Sequence, residues 1–285
     1  MKLILSRKGF DSSAGGCPSP VFPDGSFYAL PIPDPRSRVA YRDIQYRDAN
    51  VGALVRNLTG DRRAGNRKAH LDPDLIPHVK PRTQGWTPCL GQSGSAQSHL
   101  ARQGVGAGDL FLFFGLFRRV LKSQGRWRFR PDSKAFHGLW GWLQIGHVHT
   151  IDELAPGQLP WASDHPHFHG EPDQRNTLYV AAKNLILQGQ DTGYAGAGVF
   201  PEMTDRHRLT APDARMTTQW RLPEFFYPAS EETAMTYHQK MERWSMSDSG
   251  CYLKSAARGQ EFVLEVAHRP AAMDWVNSLL KGVSA

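Results

Sequence analysis

Apolar and polar positions alternate between short dense runs and long polar connections, and the runs predict most of the elements. Leu3, Ile4 and Leu5 open the chain, so residues 2 to 6 read as a buried first strand. It passes without a spacer into the charged, glycine-containing stretch "RKGFDSSAGG". "SFYALPIPDP" (26 to 35) is an apolar run broken by prolines and predicts a short edge strand followed by extended chain. A helix is expected over Val51 to Leu58, ended by Gly60, and another from about Ser95, with Ala96, His99, Leu100 and Gln103 at helical intervals and Gly104 as its stop. "GDLFLFFGLFRRV" is too apolar to face water on either side and reads as a central strand; "HGLWGWLQIGHVHTI" should return beside it as a long hairpin. "NTLYVAAKNLIL" is a strand, or a strand running into a helix. Later come "QWRLPEFF", the amphipathic stretch "MTYHQKMERW", a strand in "GQEFVLEV" and a last helix in "AAMDWVNSLLKG". No repeat or composition break divides the chain. The pattern predicts an α+β fold, a single domain over residues 1–285 on a mixed, strongly curved sheet, with long ordered loops and peripheral helices.

Composition sharpens this picture in three places. Gly (27) and Pro (20) are numerous and hydrophobic residues make up only 40%, so many connections should be ordered loops. A formal charge of +7 favours a polyanionic partner, a nucleotide or a nucleic acid with DNA ahead of RNA, although it also serves solubility. Cys17, Cys89 and Cys251 are too few and too scattered for a disulfide framework or a structural zinc site, which fits a reducing cytoplasm. "MKLIL" is too short for a secretory signal, and with no long apolar run no membrane partner is expected.

The first turn carries the densest chemistry. Arg7 and Lys8 supply positive charge, Ser12 and Ser13 hydroxyls, Asp11 a carboxylate, and the glycines open backbone, a set suited to phosphate or sugar. Its spacing is neither a P-loop nor a dinucleotide fingerprint. The same residues also make a self-satisfied turn, with Asp11 or Ser12 capping amides and Gly15 or Gly16 at positive φ. In "HLDPDL", an extended chain would turn Asp72 and Asp74 the same way beside His70, a trio able to hold Mg²⁺ or act as a general base; Asp-Pro-Asp is equally a turn sequence. Cys17 lies near Arg7 and Lys8, which would activate its thiol if they approach it, while burial would leave it inert. Trp86, Trp127, Trp140 and Trp142 include candidates for stacking a base, Trp142 first. His147 and His149 alternate on the predicted return strand, and His165, His167 and His169 alternate after a loop. If these five converge, with Asp164, Glu171 or Asp173 adding an oxygen ligand, they form a transition-metal site.

Two resemblances add to this reading. "GAGDLFLFFGLF" followed by "GWLQIGHV" is similar to the paired strands of PUA-like barrels of the ASCH and EVE kind, which implies a possible partial barrel and a non-catalytic reader of modified bases. Across more of the chain, "SRKGFDSSAGGCPSPVFPDG", "HLDPDL", "GDLFLFFGLFR", "NTLYVA" and "GQEFV", in this order, resemble the third nucleotide-modification-associated domain family of bacteria and phages. That resemblance implies a role in nucleotide or DNA-base modification, open as to whether it is enzymatic and without a settled reaction. It carries over to Arg7, Lys8, Asp11 and Ser12, to Asp72 and Asp74, and to Asp109 and Arg118. Asp109 also has a plain structural reading, as a cap on backbone amides. The combined expectation is one cleft walled by the first turn, the HLDPD loop and the GDLFLFFGLFR strand. In it Asp11, Asp72, Asp74 and Asp109 act on a substrate held by Arg7, Lys8, Ser12, Ser13, His70, Arg118 and Trp142. The alternatives are the non-catalytic reader and a metal-dependent enzyme built on His147, His149, His165, His167 and His169.

Overall fold

The computed structural model describes residues 1–283 apart from 48, 172, 249, 258 and 260. Nine strands make the main sheet: β1 (Lys2–Arg7), β2 (Ser19–Val21), β3 (Cys89–Gln92), β4 (Leu110–Ser123), β5 (Arg126–Phe129), β6 (Phe136–Thr150), β7 (Thr177–Ala181), β8 (Ala197–Val199) and β9 (Glu261–Glu265). The order β9-β1-β4-β6-β7-β3 forms its path, with β2 and β5 also paired to β4 and β8 to β6. β1 and β2 run parallel to β4, whereas β9 and β6 are antiparallel to their neighbours, so the sheet is mixed. The helices are α1 (Val51–Thr59), α2 (Gly94–Arg102) and α3 (Ala271–Leu279). The α+β expectation therefore holds.

The phenylalanine run is central because neither of its faces meets water. Phe111 packs edge-on to Tyr179 and Phe113 lies against Trp140, while Phe114 meets Trp220 and Phe262. β4 and β6 pair as the predicted hairpin, with a register shift between Phe113 and Phe114. The basic excursion between them forms β5, which the polar pattern does not announce. α1 begins at Asn50, whose side chain accepts from the Ala53 amide, and stops at Gly60 with φ 77°, a conformation that costs glycine little. Its buried Val51, Leu54 and Val55 join Phe10, Leu30 and Tyr41 in a second hydrophobic cluster.

The path of the sheet does not close through backbone pairing. Its edges nevertheless meet: Gln92 at the end of β3 donates through its amide to Glu261 at the start of β9. The sheet must therefore curl until its first and last strands face each other, and the join is made by side chains. Two expectations are corrected, and two further segments take definite form. Residues 26–35 form isolated bridges rather than a strand, because Phe27 and Pro33 each find only a single partner. "NTLYVAAKNLIL" splits into β7 and a strand Asn184–Leu187 that pairs with Gln190–Ala195 in a separate hairpin. The amphipathic stretch "MTYHQKMERW" gives a short 3-10 turn leading into a strand, Trp244–Ser247, with Trp244 anchored through its indole to the His238 carbonyl. "GQEFVLEV" is a strand from Glu261, and residue 260 lies outside the described residues.

Three histidines are built into the fold in neutral form. Burial pushes His137 down to about 3, with the nearby Arg7 charge adding to it, and burial pushes His207 and His238 down to about 4. The His137 ring accepts from the Trp220 indole at 3.0 Å, and His238 accepts the Ala256 amide at 3.0 Å while its other nitrogen faces the Thr236 carbonyl. An unfolded chain binds these protons near pH 6.5 and the folded chain does not, so stability is full above that pH and is lost as the pH falls towards 4. Each histidine contributes a slope of about 1.4 kcal/mol per pH unit within that window. Denaturant unfolding followed from pH 7.5 to 4 should show a plateau and then this decline; a flat profile would contradict the neutral, buried assignment.

Candidate functional site

Two strands share one side of β4. β1 pairs until Arg7 lies opposite Phe114, and β2 rejoins with Ser19 opposite Phe117. Only a few positions of β4 separate the two contacts, so residues 8–18 have nowhere to run along the sheet and loop away from it. Gly115 permits the departure, since a Cβ there would lie 2.7 Å from the Lys8 carbonyl. Phe10 pins the loop by burying its ring in the second cluster, and Gly15, φ 90°, lies against that ring where any Cβ would come within 2.3 Å. Asp11 caps the turn, its Oδ1 accepting from the Ser13 amide (2.7 Å), the Ser13 hydroxyl (2.7 Å) and the Ala14 amide (2.8 Å). The loop satisfies its own polar groups and also borders a large cleft.

That cleft has a volume of about 930 Å³, and it opens at the carboxyl ends of β1 and β3, where the sheet edges meet. Arg7, Lys8, Asp11 and Ser13 line it, as do His70 and Asp72. The remaining walls come from Gln92 and the start of α2, from the His167 to Asn176 segment, and from Tyr237 and Glu261.

Glu261 is 1% exposed. Its Oε1 accepts from Ser6 at 3.1 Å and from Gln92, with the Lys8 ammonium at 3.5 Å, while Oε2 has no hydrogen-bond partner among the described residues. Burial raises its pKa against the opposing Lys8 charge and the Ser6 and Lys8 hydrogen bonds. Asp72, with a side chain 2% exposed, is the second buried carboxylate. Its Oδ1 accepts the Gly91 amide at 2.7 Å and lies 3.2 Å from His165 Nε2. Burial alone would raise its pKa, but the His165 hydrogen bond and the charges of Lys8 and the two histidines together hold it well below the usual carboxylate range. Its Oδ2 lies 3.8 Å from His70 Nε2 and 3.9 Å from His167 Nε2. Behind these rings, His70 Nδ1 meets Asp34 at 2.9 Å and His167 Nδ1 meets Asn176 Oδ1 at 2.8 Å. Burial pushes His167 down to about 4. Among the described residues, His70, Asp72 and His167 are the group whose side chains could hold a metal.

The other predicted site residues lie elsewhere, each for a physical reason. Asp109 sits at the opposite end of β1, where it accepts the amides of Lys2 and Gly106. Five residues of strand, about 17 Å, separate that end from Arg7. Asp74 does not line the cleft, and both its oxygens are taken by the Arg82 guanidinium and one also by the Trp86 indole. Arg118 lies over Phe129 on the β4–β5 hairpin and donates to the Arg130 carbonyl. Trp142 is buried, stacked near Phe200 and bonded to the Ala195 carbonyl. Ser12 is exposed and does not line the cleft, nor do Trp86, Trp127 and Trp140. Cys17 is partly buried, and burial pushes its thiol up to about 11, so it is no activated nucleophile. Of the five histidines proposed to converge, His165 and His167 reach Asp72; His147 and His149 lie together near the C-terminal end of β6, their ring centroids 6.3 Å apart, and line no part of the cleft, and His169 joins no metal-competent group among the described residues.

Glu261, Gln92, Asn176, Asp34 and Tyr237 escaped the sequence reading. Glu261 carried one usable signal, an acid opening an otherwise apolar strand; the others are unremarkable polar residues in loops and element ends.

Gly91 makes the arrangement unusually testable, because a Cβ at this position would lie 2.2 Å from the His167 ring. Gly91→Ala should destabilise the protein by about 1–3 kcal/mol in denaturant unfolding and shift the His167 ring resonances. Gly106→Ala, with open space at its Cβ, should do neither. Equal behaviour of the two variants would contradict the packing. No curated protein and no solved structure matches this chain. A family model does match, over residues 2–265, and the chain belongs to the family described as nucleotide modification associated domain 3.

Proposed function

We propose that this protein binds a nucleotide, free or as a base within DNA, in the cleft at the sheet seam and takes part in its modification. The family supplies the setting. The observation that carries the reading is the convergence of Lys8, Asp72 and Glu261 from three distant segments on one open cleft of about 930 Å³, a size that accommodates a nucleotide.

The walls divide the work by chemistry. Lys8 and the exposed Arg36 supply the cationic charge suited to phosphate, while the Gly94 amide that opens α2 is taken by the Asp173 carboxylate at 3.0 Å. Tyr237 lines the cleft beside α2 with 45% of its surface exposed and its ring 4.8 Å from that of His99, so it presents an aromatic face to a base in place of the tryptophans. Glu261, held by Ser6, Lys8 and Gln92, keeps Oε2 free of hydrogen-bond partners among the described residues, a suitable group to accept a base N–H or to move a proton at that atom. Asp11 serves as the turn's cap, which leaves the acid–base role to the buried carboxylates.

Calorimetric titration with nucleoside monophosphates, triphosphates and short DNA and RNA strands tests this reading. Lys8→Ala and Tyr237→Ala should each weaken binding at least about tenfold, or about 1.4 kcal/mol. Tyr237→Phe and Arg118→Ala should leave it near the wild-type value. Glu261→Gln should bind and yet form no altered nucleotide by mass spectrometry. Undiminished affinity in folded Lys8→Ala and Tyr237→Ala would remove the cleft from the function, and binding without any product in the wild type would favour a reader over an enzyme.

A further inference from the structure

From the donor set at the HLDPD loop, we infer that His70, Asp72 and His167 form a binding site for one divalent transition-metal ion, open to the cleft. The inference stands on hydrogen-bond bookkeeping and does not depend on the nucleotide reading.

The protons can be placed one by one. Asn176 donates its side-chain amide to the His167 carbonyl at 2.8 Å, which fixes its Oδ1 towards the His167 ring. An oxygen there can only accept, so His167 carries its proton on Nδ1 and presents a bare Nε2. His70 Nδ1 faces the Asp34 carboxylate at 2.9 Å, another pure acceptor, so His70 is protonated on Nδ1 as well and also presents a bare Nε2 in its neutral form. His165 Nδ1 accepts the His167 amide at 3.4 Å, which leaves its Nε2 to donate to Asp72 Oδ1. With the Gly91 amide also on Oδ1, that oxygen is satisfied and Oδ2 is not.

Two imidazole lone pairs and one carboxylate oxygen therefore converge with no proton between them. The separations from Oδ2, 3.8 and 3.9 Å, are too long for hydrogen bonds, and the three ligand atoms lie within 4.8 Å of one another. Three facing acceptors repel unless a cation sits among them, and modest inward rotation would give metal–ligand bonds of about 2.0–2.2 Å. The supports are those of a metal centre: each imidazole is oriented from behind by Asp34 or Asn176, and the carboxylate by Gly91 and His165. Gly91 has no side chain because the His167 ring occupies that space. Two nitrogens and one oxygen select a first-row ion such as Zn²⁺, Fe²⁺, Mn²⁺ or Co²⁺ over Mg²⁺. Three protein ligands leave coordination positions for water or substrate.

The test uses the full chain, stripped with chelator and titrated with Zn²⁺, Mn²⁺, Co²⁺ and Mg²⁺, and with Fe²⁺ under anaerobic conditions. One equivalent of a transition metal should bind with a rise in melting temperature, Mg²⁺ should bind far more weakly, and the Co²⁺ absorption should report nitrogen and oxygen ligands. His70→Ala and His167→Ala should each weaken affinity by at least a hundredfold. Asn176→Ala should weaken it about 10- to 100-fold and Asn176→Asp, which still accepts the Nδ1 proton, much less. His147→Ala and His149→Ala should change nothing. No stoichiometric uptake by the folded wild-type protein, or uptake unaffected by both His70→Ala and His167→Ala, would overturn the site. Should those variants fail to fold, X-ray absorption on the wild-type metal complex decides: a shell without two imidazoles overturns it. Nucleotide binding measured on the metal-free protein separates failure of this site from failure of the cleft.

Discussion

A buried carboxylate joins the two edges of an open sheet. Glu261, on one edge, takes hydrogen bonds from Gln92 on the other edge and from Ser6 on the strand beside it, with Lys8 as its counter-charge. A backbone ladder across that seam would close the barrel and fill the space with main chain. A side-chain join holds the edges together while leaving an opening between them, and the cleft lies in that opening. Removing one partner of such a buried charge costs about 3–5 kcal/mol because the remaining charge is stranded, so the seam is strongly coupled to the fold.

Asp72 repeats the device on the neighbouring wall. Its side chain connects the HLDPD loop to β3 through the Gly91 amide and to the His165–His167 segment through imidazoles. One oxygen is used wholly for structure and the other faces the cleft. The first loop divides its labour in a similar way, since Phe10 and Asp11 hold it in shape while Arg7, Lys8 and Ser13 border the cavity. In all three places the groups that maintain the geometry and the groups available for chemistry are neighbours on the same short segment. A turn that caps its own amides can therefore also border a cavity.

The bifurcation of β4 explains the position of the first loop. Parallel pairing with β1 and then β2 along one side of a single strand forces the intervening residues out of the sheet at Gly115, next to the seam. Asp109 immediately precedes the same strand, and Arg118 lies within it on the outlying hairpin. Membership of one apolar strand therefore does not carry a polar residue into the site.

The pattern of the chain alone determined the elements whose signals are local. The buried run of β4 and its return strand, the helices ended at Gly60 and near Gly104, and the final helix are each legible from periodicity and stop residues within a dozen positions. The Arg7 to Ser13 turn and the His70 to Asp72 loop were likewise legible as concentrations of polar chemistry. Only the tertiary structure decided which of these meet. Asp74 is one residue beyond Pro73 and faces Arg82, Asp109 is five strand residues from the cleft, and Glu261 arrives from the far end of the chain. Such long-range convergence depends on how the sheet curls and on which partner claims each carboxylate, and neither leaves a periodic trace in the sequence.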